Sequence, residues 1–111
     1  MKSYYVYILA SKRNGTLYIG FTDDLQRRVR EHKEKSVSGF TAKYNINLLV
    51  YYEEYDNSDD AFIRERRMKK WKRNWKLALI EKNNQYWHDL YDSITGLDSG
   101  FRRNDELESN R

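Results

Sequence analysis

Five side chains have types and spacings that could do chemistry: Tyr7, Tyr18, Arg28, His32 and Glu65. Leu25, Arg28, Val29 and His32 share one stripe if residues 25–33 are helical, because residues three and four apart lie on a common face. Gln26, Arg27, Arg30, Glu31, Lys33 and Glu34 take the opposite side. An arginine and an imidazole therefore point inward, one turn apart. On a later helix Glu65 falls inside the arc drawn by Phe62, Met68, Trp71 and Trp75. A buried carboxylate is costly unless it meets a cation, a metal or an open cleft. Two tyrosines, an arginine, a histidine and an acid on inward faces suit hydrolysis of a phosphodiester. The acid can hold a divalent metal through oxygen, which polarises the phosphoryl group. The arginine meets developing negative charge with fixed N–H donors, and a phenol of lowered pKa can take a proton from water.

Each residue also has a structural account. An arginine stem can lie along apolar surface with its head in water, and a histidine near a helix end complements the negative dipole. Paired tyrosines on a strand face commonly pack, and Glu65 can be satisfied by a salt bridge to Arg28 or to a neighbouring Arg or Lys. The coincidence of all five in one basic chain is what favours chemistry.

The elements that must position them follow from local signals. Tyr4–Leu9 is rich in aromatic and β-branched residues and reads as a strand. Asn14-Gly15 predicts a two-residue hairpin turn, which sets Tyr18 opposite Ser11 and Gly20 opposite Leu9. Tyr7 and Tyr18 then project from the same side. The returning strand is expected to break at Gly20, with Thr22 capping the first helix and Asp23 and Asp24 complementing its positive end. Phe40–Tyr44 fits either a helical turn or an extended piece. Leu48–Tyr55 is a third strand, and Asn57-Ser58-Asp59-Asp60 opens a helix running to about Lys72. A further helix, Trp75–Lys82, follows a bend at Arg73-Asn74. From Thr95 to Arg111 the chain is polar and without periodicity, which predicts a mobile tail over 94–111 beyond a single domain at 1–93.

Composition narrows the partners. At 111 residues the chain fits one domain with one core, and its ten Tyr, three Trp and four Phe offset a modest apolar fraction of 39%. The absence of Cys removes disulfides, thiolate chemistry and Cys-based zinc sites. No signal-peptide pattern or membrane-length apolar run is present, so a cytoplasmic protein is expected. The net charge of +4 suits a polyanion without requiring one. Between Asp59 and Lys76 eight cations face three anions, which concentrates the positive charge.

Val6-Tyr7 on the first strand and Tyr18-Ile19-Gly20 on the second resemble the GIY-YIG nuclease signature, with Tyr5 where the name has glycine. Arg28 sits where that family carries its catalytic arginine, His32 recurs one turn later in several members, and Glu65 matches the metal-binding glutamate. The likeness spans about Tyr4 to Tyr91. It is greatest to small stand-alone members that resemble the N-terminal nuclease domain of the bacterial excision-repair incision subunit. It implies an α/β fold, a small three-stranded antiparallel sheet flanked by helices. It implies a metal-dependent DNA endonuclease, in repair or recombination, using Mg²⁺ or Mn²⁺ held by Glu65. Tyr7 would be the general base, Tyr18 an orienting partner, Arg28 the transition-state stabiliser and His32 a phosphate or proton contact. Phe21 replaces the lysine some relatives have after the second signature, so a lysine base is excluded there. Asn83 or Asn84 is the counterpart of a supporting asparagine. Arg27, Arg64, Lys69 and Lys72 are the expected DNA contacts. A non-catalytic nucleic-acid-binding module, or a subunit active only with a protein partner, are the alternatives.

Overall fold

The strand β1 (Tyr4–Ala10) is buried continuously from Val6 to Ala10, which places it in the middle of the sheet. In the computed structural model, which describes residues 2–37 and 39–96, it pairs antiparallel with β2 (Leu17–Thr22) on one side and β3 (Leu48–Tyr55) on the other. The chain continues after β2 into α1 (Leu25–Lys33) and the single turn α2 (Phe40–Lys43); after β3 come α3 (Ser58–Lys69), α4 (Arg73–Asn83) and α5 (Tyr91–Thr95). This is the expected α/β fold, a three-stranded antiparallel sheet flanked by helices. The expected tail lies, from residue 97 on, outside the described residues.

Alternation across the strands divides the core in two. Val6, Ile8, Ala10, Ile19 and Val50 face Ala61 and Met68 of α3, Ile80 of α4 and Trp87. Tyr7, Leu9 and Leu49 face Leu25 and Val29 of α1 and Ile46, with Leu90, Tyr91 and Ile94 closing that side. A bulge in β3 between the partners of Ile8 and Leu9 makes Val50 the extra residue, so that adjacent Val50 and Tyr51 serve the same face.

The hairpin register differs from the expected one by two residues. Leu9 pairs with Tyr18 and Tyr7 with Gly20. The turn uses four residues, Lys12 to Gly15, closed by Gly15 N–H donating to Lys12 C=O at 2.9 Å and Ser11 N–H to Thr16 C=O at 3.0 Å. Asn14 adopts φ 60°, as its type permits, and the Arg73 guanidinium pins the turn through the carbonyls of Asn14 and Gly15 at 2.9 and 2.7 Å. A slip of two keeps every side chain on its face, so Tyr7 and Tyr18 still share a side.

Further boundaries move. β2 runs through Gly20 to Thr22 instead of breaking. Asp24, not Thr22, caps α1 by accepting from Arg27 N–H at 3.1 Å, while Thr22 Oγ1 accepts from Asp24 N–H at 3.0 Å to shape the turn before it. Asn57 caps α3 by accepting from Asp60 N–H at 2.9 Å. α3 ends at Lys69, and α4 begins at Arg73, where a bend was expected.

Candidate active site

The site is assembled on the α1 side of the sheet. Tyr7 is 1% exposed, and its ring lies over Gly20 on the neighbouring strand. A Cβ built on Gly20 would stand 2.3 Å from Tyr7 Cζ and Oη, so only glycine admits this packing. Tyr18 comes next to the same ring, with centroids 6.4 Å apart. From α1, His32 closes a three-ring cluster, 6.0 Å from Tyr7 and 5.4 Å from Tyr18.

Within this cluster runs a chain of buried polar contacts. Tyr7 Oη lies 3.2 Å from His32 Nε2, and His32 Nδ1 lies 3.0 Å from Thr41 Oγ1. Burial pushes the Tyr7 phenol well above its ordinary value; the neighbouring Tyr18 adds to the rise, the Arg28 charge opposes it, and the Glu65 charge adds a smaller push upward. This reverses the lowered phenol expected for a base. Burial, and then the Arg28 charge, hold the His32 imidazole below its ordinary 6.5, with Glu31 opposing. His32 is therefore neutral at pH 7, with one ring donor and one acceptor. A protonated phenol donates to Nε2, which places the ring proton on Nδ1 and makes Thr41 Oγ1 its acceptor.

Thr41 was not singled out by sequence, since nothing in Phe40–Tyr44 marks it. Its burial at 4% exposure and its place on α2 are tertiary facts. Thr41→Val keeps the shape and removes the acceptor. The expected cost is about 1–3 kcal/mol, largely restored in Thr41→Ser, read by urea unfolding.

The depressed His32 pKa has a signed consequence. The folded state holds the neutral form, so this contribution to stability is complete above pH 6.5 and is lost as pH falls through the folded value. Urea unfolding of wild type should therefore show a fall in stability from pH 7.5 to pH 5. His32→Gln should flatten that fall.

Arg28 leaves the apolar stripe partly exposed. Its Nε is buried without a hydrogen-bond acceptor among the described residues, because the Glu31 carboxylate, 3.3 Å away, lies off the N–H direction. The residue opens on a cleft of about 340 Å³ walled by Tyr4, Phe21, Thr22, Asp23 and Ser58. An incompletely engaged guanidinium at a cleft is suited to an oxyanion.

Glu65 approaches from the opposite helix layer. It is 6% exposed, on the α3 face that carries Ala61 and Met68. Phe62 and Trp75, placed in that apolar arc by helical projection, instead stand 47% and 57% exposed. The Glu65 carboxylate pairs with Lys69 one turn on, at 2.5 Å, not with Arg28. Among the described residues no group of three or more His, Cys, Asp or Glu is placed to hold a metal. A lone carboxylate still matches the way Mg²⁺ is held, by one or two acids with waters and substrate phosphates.

The four expected DNA contacts fare differently. Arg64 forks onto Glu53 at 2.8 and 3.0 Å, with Trp71 under its guanidinium at 4.9 Å, and the Tyr51 and Tyr55 hydroxyls donate to the same carboxylate. It belongs to a structural network. Lys69 is engaged by Glu65, and Arg27 lies 4.0 Å from Asp24 and 3.8 Å from Glu31. Lys72 is exposed, just before α4. Asn84 is buried, donating to the carbonyls of Val50 and His88 at 3.1 and 2.8 Å, so its amide holds the loop after α4. Asn83 is exposed.

A hairpin that packs two tyrosines against a helix bearing arginine and histidine, backed by a buried glutamate, defines a class. The chain belongs to the family of the GIY-YIG catalytic domain, whose model matches residues 3–78, a span that contains all five residues. More particularly, it is similar to the UPF0213 protein CPE1444 of Clostridium perfringens (strain 13 / Type A), 38% identical over 80 residues, covering 72% of this chain and 85% of that one. It is also similar to the UPF0213 protein SSP2268 of Staphylococcus saprophyticus, 33% identical over 82 residues, covering 74% and 99%. The solution structure of the UPF0213 protein BH0048 from Bacillus halodurans shares the fold, with a TM-score of 0.50 at 24% identity over 81% of this chain and 95% of that one. These relatives bear the UPF0213 name and are small, as the likeness to small stand-alone members implies, with no particular link to the excision-repair incision subunit. No helix among the described residues is long and apolar enough to cross a membrane.

Proposed function

We propose that this chain is a metal-dependent endonuclease that hydrolyses a phosphodiester bond in DNA. The observation that carries the reading is the buried Tyr7–His32 contact beside an Arg28 that lines a cleft and keeps a buried, unengaged Nε. Such a pair moves a proton, and such an arginine receives a phosphate. Arg28 would bind the scissile phosphate and stabilise the charge that grows on it. Tyr7, held neutral by burial, passes its proton to His32 Nε2 as it takes one from the attacking water. Thr41 keeps the His32 ring turned so that Nε2 faces Tyr7. Tyr18 walls the cluster and limits water. Glu65 would hold Mg²⁺ or Mn²⁺, exchanging Lys69 for the ion. The bound ion would supply Lewis acidity toward the phosphoryl and leaving oxygens.

A second reading is favoured by one observation. The Glu65–Lys69 pair already satisfies the buried acid, as in a module that keeps the fold and binds nucleic acid without cutting. Supercoiled plasmid with purified protein separates the two. The endonuclease gives nicked circles in Mg²⁺ or Mn²⁺ and none in chelator. Tight binding without nicking under either ion selects the module. Nicking that appears only on adding a protein partner would make the chain a dependent subunit.

A further inference from the structure

We propose that the outer face of α3 carries an unpaired nucleic-acid strand leading away from the Arg28 cleft, with a base stacked on Phe62 and phosphates met by Arg66, Arg67 and Lys70. The substrate class of the site is then DNA with a single-stranded segment beside the scissile phosphate, which deepens and rests on the nuclease reading.

Phe62 and Ile63 are 47% and 46% exposed on a helix whose other face is packed. Together with Arg66, Arg67 and Lys70 they line an open recess of about 320 Å³. Arg66, Arg67 and Lys70 are exposed and form no ion pair among the described residues. The Arg66 guanidinium stands 5.5 Å from the Phe62 ring centroid. Asp59 and Asp60 occupy the first turn of α3, so positive charge takes over from the second turn onward.

Aromatic contacts link this recess to the site. Tyr4 and Phe21 wall the Arg28 cleft and stack with centroids 6.4 Å apart and planes 9° from parallel. Phe21 in turn meets Phe62 edge-on at 6.2 Å. Aromatic faces thus lead from Arg28 to the cations of α3. Asp23, the acid of the cleft wall, is offset by Lys2 at 3.0 Å.

The occupant follows from this chemistry. Aromatic side chains interleaved with cations recognise single strands, whose bases can leave the stack; a duplex offers its phosphates but no free base face. A second copy of this chain would bring the same cations face to face in a two-fold interface, which like charge opposes.

The test is anisotropy of a labelled twenty-nucleotide oligo-dT and of a labelled twenty-base-pair duplex, both in chelator, for wild type, Phe62→Ala and Arg66→Gln/Arg67→Gln. Stacking on one base is worth about 1–3 kcal/mol, so Phe62→Ala should weaken oligo-dT roughly 5- to 150-fold and leave the duplex within about twofold. The double variant should lower the salt slope for oligo-dT by about 1.4. Unchanged oligo-dT affinity in Phe62→Ala would overturn the proposal. So would a dimer that Phe62→Ala dissociates while DNA binding stays intact, because the face would then belong to a second copy. Plasmid nicking by the same proteins separates the two readings. Nicking with Phe62-independent strand binding sinks the track and keeps the nuclease, and Phe62-dependent binding without nicking does the reverse.

Discussion

Gly20→Ala is expected to destabilise the protein by about 3 kcal/mol or more, at or beyond the upper end of ordinary overpacking. The new methyl group would enter the Tyr7 ring at 2.3 Å, well inside contact distance. The ring cannot retreat, because Tyr7 is 1% exposed and held between Tyr18, His32 and the sheet. Backbone conformation is not the cause, since Gly20 lies in a regular strand paired with Tyr7. Shrinking the obstacle should therefore relieve the clash. Tyr7→Leu/Gly20→Ala is expected to be more stable than the two single effects added together. Urea unfolding of the four proteins checks this, and a Gly20→Ala midpoint equal to wild type would contradict the packing described.

Arg28→Ala is expected to cut the nicking rate about 10²- to 10³-fold, the usual loss when one preorganised oxyanion donor is removed. Stability should barely change. Among the described residues its Nε is already buried without an acceptor, so the folded state forfeits little when the group goes. Arg28→Lys should restore only a small part, because an ammonium lacks the planar fork. A second signature accompanies the loss. The Arg28 charge depresses the His32 pKa, so Arg28→Ala should raise it, observable in the pH dependence of the imidazole NMR signals. Loss of rate together with loss of fold would make Arg28 structural instead.

Much of this site was legible because period and type carry it. Val29 and His32 fall on the buried stripe that helical spacing assigns, and Arg28 lies at its margin. Tyr7 and Tyr18 share a face despite the different turn length, since strand faces depend only on parity. Glu65 was found as a polar residue on a face that does prove buried. Other features depend on contacts that no local pattern encodes. Phe62 stands exposed, and Trp75 leaves the projected arc because α3 ends at Lys69 and α4 starts afresh at Arg73. Arg64 reads as one cation of a basic run until Glu53 on β3 is seen to hold it. Thr41 becomes part of the site only through its contact with His32, nine residues earlier in the chain.

Cleavage is expected to depend on Glu65 as its essential acid. The direct measurement is the single-turnover rate of plasmid nicking against Mg²⁺ concentration for wild type and Glu65→Gln, with circular dichroism of both. A saturable Mg²⁺ dependence is expected in wild type, and loss of nicking in Glu65→Gln with the fold retained. Glu65→Gln nicking at the wild-type rate with the same Mg²⁺ dependence would contradict it.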